Sequence, residues 1–318
     1  APQGSGVLDL PGPPVAAPPG YTPIDSTSGD SRSKSGSGSV AQSLPGSSRP
    51  ELDLASDSVA EREADFFNLD SVDDGDEFDE IHHLPGVRRG GTCVMIGDLG
   101  QRPLTRSDGT ILVPVQSTPA GADGVYLNPG AGYTYTDCLL LFGRWDGDRL
   151  RWTSSERIVG DPARTTRGLI EPTIAELVDG SILMVMRGSN DVQPELPGHK
   201  WVSRSADGGQ SWTEPAPWTC DDGEPFYSPS ACSQLIPWPD GRLFWMGNVA
   251  GANPQGNRPR YPLVIGEVDG ETGCLRRASL TAVDDRAEGE DDKLTLSNFH
   301  ARHDRETGHL LVYYPRFF

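Results

Sequence analysis

The sequence predicts an all-β fold of four-stranded antiparallel units, and three observations carry that prediction. Residues 169–212 hold four short apolar runs, at 173–177, at 181–186, at 201–204 and from Trp212 onward, parted by turn residues. An Asp-Gly pair between two apolar runs recurs at Gly109, Gly180 and Gly241, with Thr307-Gly308 as a looser fourth copy, at spacings of 71, 61 and 67 residues. A second glycine punctuation closes the units at Gly147, Gly208 and Gly270, spaced 61 and 62 apart. Two interleaved series with one period are an internal repeat. A four-stranded meander buries both faces only when like sheets stack radially, so the repeat reads as a β-propeller.

Composition agrees and excludes several functions. The 38 Gly, 28 Pro and 35% apolar residues in 318 fit a turn-rich β chain. A net charge of −19 argues against a nucleic-acid surface, which needs clustered Lys and Arg. No apolar run approaches the length of a membrane span, so no membrane span is expected. The five cysteines, an odd number without a CxxC pair, indicate neither a disulfide framework nor a zinc site. The chain begins with neither Met nor a signal-like apolar core, which fits a processed protein or a fragment.

Along the chain, residues 1–58 are rich in Pro, Gly and Ser and nearly devoid of aromatic anchors, which predicts a disordered arm. Residues 59–90 form an acidic, poorly defined segment. A calcium loop started at Asp70 places Gly75 correctly at its sixth position, but Val72 and Ile81 fall where the third and twelfth ligands are required, so a solvated acidic stretch is expected instead. His82-His83 has no second ligand pair at metal spacing. Residues 91–318 carry the repeats.

Within each repeat, Asp-Gly predicts a tight two-residue hairpin in which both central residues take positive φ. X-Pro steps at Arg102-Pro103, Glu171-Pro172 and Ser228-Pro229 mark the starts of first strands, where proline costs no ladder donor. The first strands of a propeller crowd its axis. Arg102, Glu171 and Tyr227-Ser228 are therefore expected at one mouth.

The most specific segment is 205–212, SADGGQSW. It matches S-x-D-x-G-x-x-W, a pattern expected by chance in such a chain on the order of once in a thousand. Asp207 can bond its own backbone, Gly209 supplies positive φ, and Trp212 packs across the hairpin. On Ser205, Asp207, Gly209 and Trp212, with degenerate copies at WDGDRLRW and VDGETGCLRR, the chain resembles the sialidase (neuraminidase, BNR-repeat, Asp-box) superfamily. The resemblance covers roughly residues 91–318 and implies six-bladed propellers in which this turn is structural and remote from the active site. Only about three and a half blades are legible at about 65 residues each.

The resemblance also implies a site. The family grips a sugar carboxylate with three arginines and uses a tyrosine nucleophile paired with a glutamate, plus an aspartic acid/base. Glu171 in EPTIAEL and Arg187 in MVMRGSN, 16 residues apart, match the family's glutamate and second arginine. Arg258 or Arg260 in GNRPRYPLVIGEVDG stands for the third, and Arg102 in QRPLTRSDG is a weaker match to the first. Where the family has its tyrosine, Leu296 stands with Ser297, Asn298, Phe299 and His300. Tyr227 is the one tyrosine at a strand start, on a different blade. Asp123 and Asp137 are available as acid/base without a motif to favour either. The implied function is an exo-glycoside hydrolase acting on a terminal, acidic sugar of a carbohydrate or glycoconjugate. It would need no metal or organic cofactor, and the resemblance suggests a secreted or extracellular setting. The alternative is a non-catalytic carbohydrate-binding propeller.

Overall fold

The computed structural model describes residues 4–8, 94–96, 102–121 and 125–318, all within one compact unit made of Ala1–Asp9 and Phe67–Phe318. The rest of the arm, the whole acidic segment with its Asp70 loop and His82-His83, and Asp123 lie outside the described residues. Four antiparallel sheets follow one another. The first joins β2 (Val94–Ile96), β4 (Ile111–Ser117), β5 (Asp137–Asp146) and β6 (Arg149–Ser154), with β3 (Leu104–Thr105) also on β4. The second runs β7 (Ile170–Glu176), β8 (Ile182–Arg187), β9 (Lys200–Ser205), β10 (Ala216–Pro217). The third is β11 (Gln234–Pro237), β12 (Leu243–Asn248), β13 (Leu263–Val268), β14 (Thr281–Asp284). In the fourth, β15 (His300–His303) pairs with β16 (Leu310–Tyr314), and β1 (Gly4–Leu8) adds to the far side of β16. Joining the two ends of the chain in one sheet leaves fewer strand edges unpaired. The only helical piece among the described residues is a 3-10 turn at Arg277–Ser279.

Stacking follows from the composition of β8. All six of its residues are buried. Ile182, Met184 and Met186 join a core with Leu112, Leu140 and Phe142 of the first sheet. The alternate residues Leu183 and Val185 join a second core with Leu235 and Trp245 of the third. A period-two strand that is apolar on both faces must lie between two sheets. Trp218, Phe226 and Trp245 fill the second core edge to face, with centroids 5.5–5.7 Å apart.

Around the axis, β7 packs beside β4 and β11, and β11 beside β15. Buried polar side chains bond successive sheets together. Gln116 Oε1 accepts the Glu171 N–H at 2.7 Å, Thr173 Oγ1 accepts the Leu235 N–H at 2.9 Å, and Gln234 exchanges two bonds with the Ala301 backbone. Arg102 Nη2 donates to Ala301 O at 2.6 Å and so ties the first sheet to the fourth. Radially stacked antiparallel sheets of three to five strands make the chain an all-β propeller.

The Asp-Gly turns differ from expectation. Gly109, Gly180 and Gly241 take φ of 79–90°, but Asp108, Asp179 and Asp240 do not take positive φ. Each glycine N–H bonds the carbonyl three residues back, and each aspartate accepts the N–H two residues on at 3.0 Å. These are three-residue loops, a turn closed by a left-handed glycine, in place of the expected two-residue hairpin. The aspartate carboxylate, by bonding backbone ahead of it, favours the right-handed conformation at its own position.

Candidate functional site

Strand direction divides the propeller into two ends. Glu171 is the second residue of β7, Arg187 ends β8 and Lys200 begins β9, and the register places Arg187 opposite both Ile170 and Lys200. The 205–212 turn follows the other end of β9. Five residue steps along a strand separate Lys200 from Ser205, about 17 Å.

At the first end Glu171 and Arg187 form an ion pair, with side chains only 13% and 8% exposed. Arg187 is held on its other edges by Ser230 Oγ, which accepts from Nε at 2.7 Å, and by Asn257 Oδ1, which accepts from Nη2 at 3.2 Å. Glu171 occupies the left-handed region at φ +48°, where the ladder of β7 is interrupted between Ile170 and Thr173. Such a conformation costs a non-glycine residue roughly 1–3 kcal/mol and persists only where the surroundings impose it. Here Gln116 fixes its N–H and Arg187 its Oε1. Oε2 is buried and makes no hydrogen bond among the described residues.

Further cations gather around this pair. Arg260 Nη2 donates to Ser230 O at 3.0 Å, so Arg187 and Arg260 share one serine. Arg258 is exposed and lies near Asp291, outside the cluster. Arg167, four residues before Glu171, has its guanidinium pKa lowered by burial and by the neighbouring Arg187, while Asp191 and Glu171 pull the other way. Lys200 is fully buried, with Nζ bonded to Ala231 O. Burial drives its pKa down to about 7, against the attraction of Glu171 and with the repulsion of Arg187 and Arg260. Buried and half-buried cations thus outnumber the carboxylates beside them, an arrangement suited to an anion that accepts forked hydrogen bonds.

The other candidates are held by partners of their own. Arg102 bonds Ala301 O, and burial together with Arg302 lowers its pKa. Tyr227 stacks on His199 at 5.8 Å, is 39% exposed, and does not bond Glu171 or Arg187. Asn298 takes φ +57° just before β15, and its N–H donates to Cys232 Sγ at 3.2 Å. Asp137 is buried at the start of β5 and pairs with Arg157 at 3.2 Å, and burial raises its pKa against that attraction. Among the described residues no group of His, Cys, Asp and Glu could hold a metal ion, and no helix is long and apolar enough to cross a membrane.

Sequence reasoning missed Arg167, Lys200, Ser230, Asn257 and Gln116. Arg167 and Lys200 left a trace, since each begins a segment leading into the strand that carries, or pairs with, a candidate residue. Ser230, Asn257 and Gln116 come from loops and strands that only the stacking brings near.

At the opposite end the 205–212 turn is bonded within itself. Asp207 Oδ1 accepts from Ser205 Oγ at 2.7 Å and from the Gln210 and Ser211 N–H groups at 3.0 Å, and Oδ2 accepts from Ser211 Oγ at 2.5 Å. Those bonds, from Ser211 first, hold its pKa well below the usual carboxylate range. Gly209 takes φ +97°, and a Cβ there would lie 2.8 Å from Leu140 Cδ1. Trp212 Nε1 donates to Ser155 Oγ at 3.3 Å.

No curated protein matches the chain. Several solved structures are similar. A protein of unknown function from Dyadobacter fermentans is 16% identical over 68% of this chain and 53% of that one, with a TM-score of 0.42. The NanB sialidase from Streptococcus pneumoniae is 16% identical over 74% and 29%, with a TM-score of 0.46. The intramolecular trans-sialidase from Ruminococcus gnavus is 16% identical over 69% and 42%, with a TM-score of 0.39. The chain therefore spans about half or less of the length of these structures. The family model described as a BNR repeat-like domain matches residues 54–298. With well over half of its residues under that model, the chain belongs to the BNR repeat-like domain family.

Proposed function

We propose that the protein is a sialidase-like exo-glycoside hydrolase that removes a terminal, acidic sugar from a glycoconjugate. The observation that carries this reading is the buried Glu171–Arg187 pair, with Arg260 sharing Ser230 and with Arg167 beside it. Arg187, Arg260 and Arg167 take the sugar carboxylate. Guanidinium groups suit that task because two N–H donors match two carboxylate oxygens. Glu171, with Oε2 unbonded, faces the same cations and is the candidate catalytic carboxylate. Asp137, its pKa raised by burial, is the candidate proton donor for the leaving oxygen. Tyr227, as the nucleophile proposed from the sequence, would have to leave its stack on His199 to act.

A second reading has its own support. Among the described residues no tyrosine hydroxyl bonds Glu171, and residues 296–300 contain no tyrosine. This favours a propeller that binds acidic sugars without cleaving them. Aryl glycosides of sialic, uronic and neutral sugars separate the two. Turnover of an acidic glycoside that falls at least about a hundredfold in Glu171→Gln supports the hydrolase. Binding without turnover, abolished in Arg187→Ala, supports the binding propeller and sinks the enzyme.

A further inference from the structure

The loop between β4 and β5 carries the feature that the site just described leaves unused. Tyr133 is 86% exposed, the most exposed large hydrophobic side chain among the described residues, with Tyr126 at 40% nearby in the same loop. A lone exposed aromatic on a loose loop needs no explanation. This loop is anchored. Asn128 Nδ2 donates to Gly132 O at 2.7 Å, the Gly132 N–H to Thr166 O at 3.2 Å, and the Tyr133 N–H to Asp191 Oδ2 at 3.4 Å. A Cβ at Gly130 would lie 2.2 Å from Thr166 O, and one at Gly132 would lie 2.6 Å from Arg167 Cγ. The backbone is therefore pressed onto the segment that carries Arg167, and two glycines make that approach possible.

Arg167 links the loop to the floor of the site. Its Nη2 donates to Thr134 Oγ1 at 2.6 Å, and its guanidinium carbon lies 5.7 Å from the centroid of the Tyr133 ring. The same guanidinium lies in the field of Arg187 and Glu171. One arginine thus touches the exposed aromatic ring of an anchored loop and feels the charges of the buried pair.

We propose that Tyr133 is a stacking platform for the second sugar of the substrate, the one next to the terminal acidic residue. This rests on the acidic-sugar reading above. A pyranose presents an apolar C–H face with hydroxyls around its edge, so lying flat on a phenol ring removes apolar area from water while its hydroxyls stay solvated. A loop backbone anchored beforehand loses little freedom when the sugar arrives. The substrate class is then an oligosaccharide of at least two units ending in an acidic sugar, rather than an acidic monosaccharide on a small alcohol.

The test uses the full chain and two ligand lengths, with binding read by titration and saturation-transfer NMR so that turnover is not required. The short probes are the methyl glycosides of N-acetylneuraminic acid and glucuronic acid. The long ones are 3′-sialyllactose and a glucuronyl-terminated disaccharide. Tyr133→Ala is expected to weaken the long probe about tenfold and to leave the short one within about twofold, while Tyr133→Phe keeps both. Equal effects on both lengths, or none on either, overturn the platform. Should wild type bind no acidic sugar, the proposed function fails by itself. The platform is then judged on lactose, maltose and cellobiose: binding that Tyr133→Ala abolishes keeps it, and no such binding discards it.

Discussion

Glu171 and Asp207 are two carboxylates of one sheet, placed at opposite ends of it, and they are bonded in opposite ways. Asp207 accepts hydrogen bonds from its own turn on both oxygens, in a backbone that two glycines relax. Glu171 sits in a left-handed conformation, has one oxygen on Arg187, and keeps the other buried and unbonded. A carboxylate satisfied by its neighbours in sequence stabilises a turn. One that is strained, buried and facing an excess of cations is poised to interact with something outside the chain.

That contrast is broken most sharply at Arg187. Arg187→Ala removes the partner of a buried Glu171 and is expected to cost about 3–5 kcal/mol of stability. Under the proposed function it also weakens acidic-sugar binding at least a hundredfold. Urea denaturation and sugar titration measure the two effects separately. A variant that keeps wild-type stability and binding would show that the pair is a surface feature of no consequence.

Lys200 gives the next largest effect, as a dependence on pH. Its folded pKa is about 7, below its unfolded value, so the unfolded chain binds more protons between pH 7 and about 10. Stability should therefore rise across that window, by up to ~1.4 kcal/mol per pH unit, as the penalty of burying the ammonium is relieved. Lys200→Met should lose the rise and be at least as stable as wild type at pH 7. Parallel slopes for the two proteins would mean that Lys200 is not buried beside the arginines.

At the other end, Gly209→Ala tests packing without touching charge. A methyl there meets Leu140 and demands positive φ of a residue that resists it, for a loss of about 2 kcal/mol by thermal or urea unfolding. Sugar binding by the folded variant should be unchanged. A drop in affinity would mean that the two ends are coupled.

Legibility in the sequence divides along the same line. The repeat and the 205–212 turn were readable because their interactions are local: Ser205, Asp207, Gly209 and Ser211 bond one another within seven residues. Strand β8 was readable as an apolar run at 181–186, although not which sheet each of its faces meets. Glu171 and Arg187 were readable as a resembling pair, and they face each other across one hairpin. Arg260 was readable only as one of two alternatives, because Ser230, which joins it to Arg187, lies 30 residues from Arg260 and 43 from Arg187. Choosing Arg260 over Arg258 required the fold of a loop in which two positions only two residues apart turn to different environments. The turn type at Asp179 was misjudged because Asp-Gly permits both a two-residue and a three-residue loop, and the sequence carries no term for the strand twist that selects between them.

The smallest effect is the most specific to the turn. The bonds that lower the Asp207 pKa also stabilise the fold, and that stability is present above the unfolded value near 4 and is lost as pH falls below it toward the folded value. Asp207 is exposed, so solvent screens the gain, and Asp207→Ala is expected to cost only about 1 kcal/mol at pH 7. The gap between wild type and the variant should narrow below pH 4 and vanish once the wild-type carboxyl is protonated in both states. Asp269 accepts comparable bonds in the next copy of the turn, so both proteins also lose stability with acid through that residue, and only their difference reports on Asp207. A gap that stays constant to the lowest pH would assign the loss to packing of the turn, and the carboxylate would then be no more than a spacer.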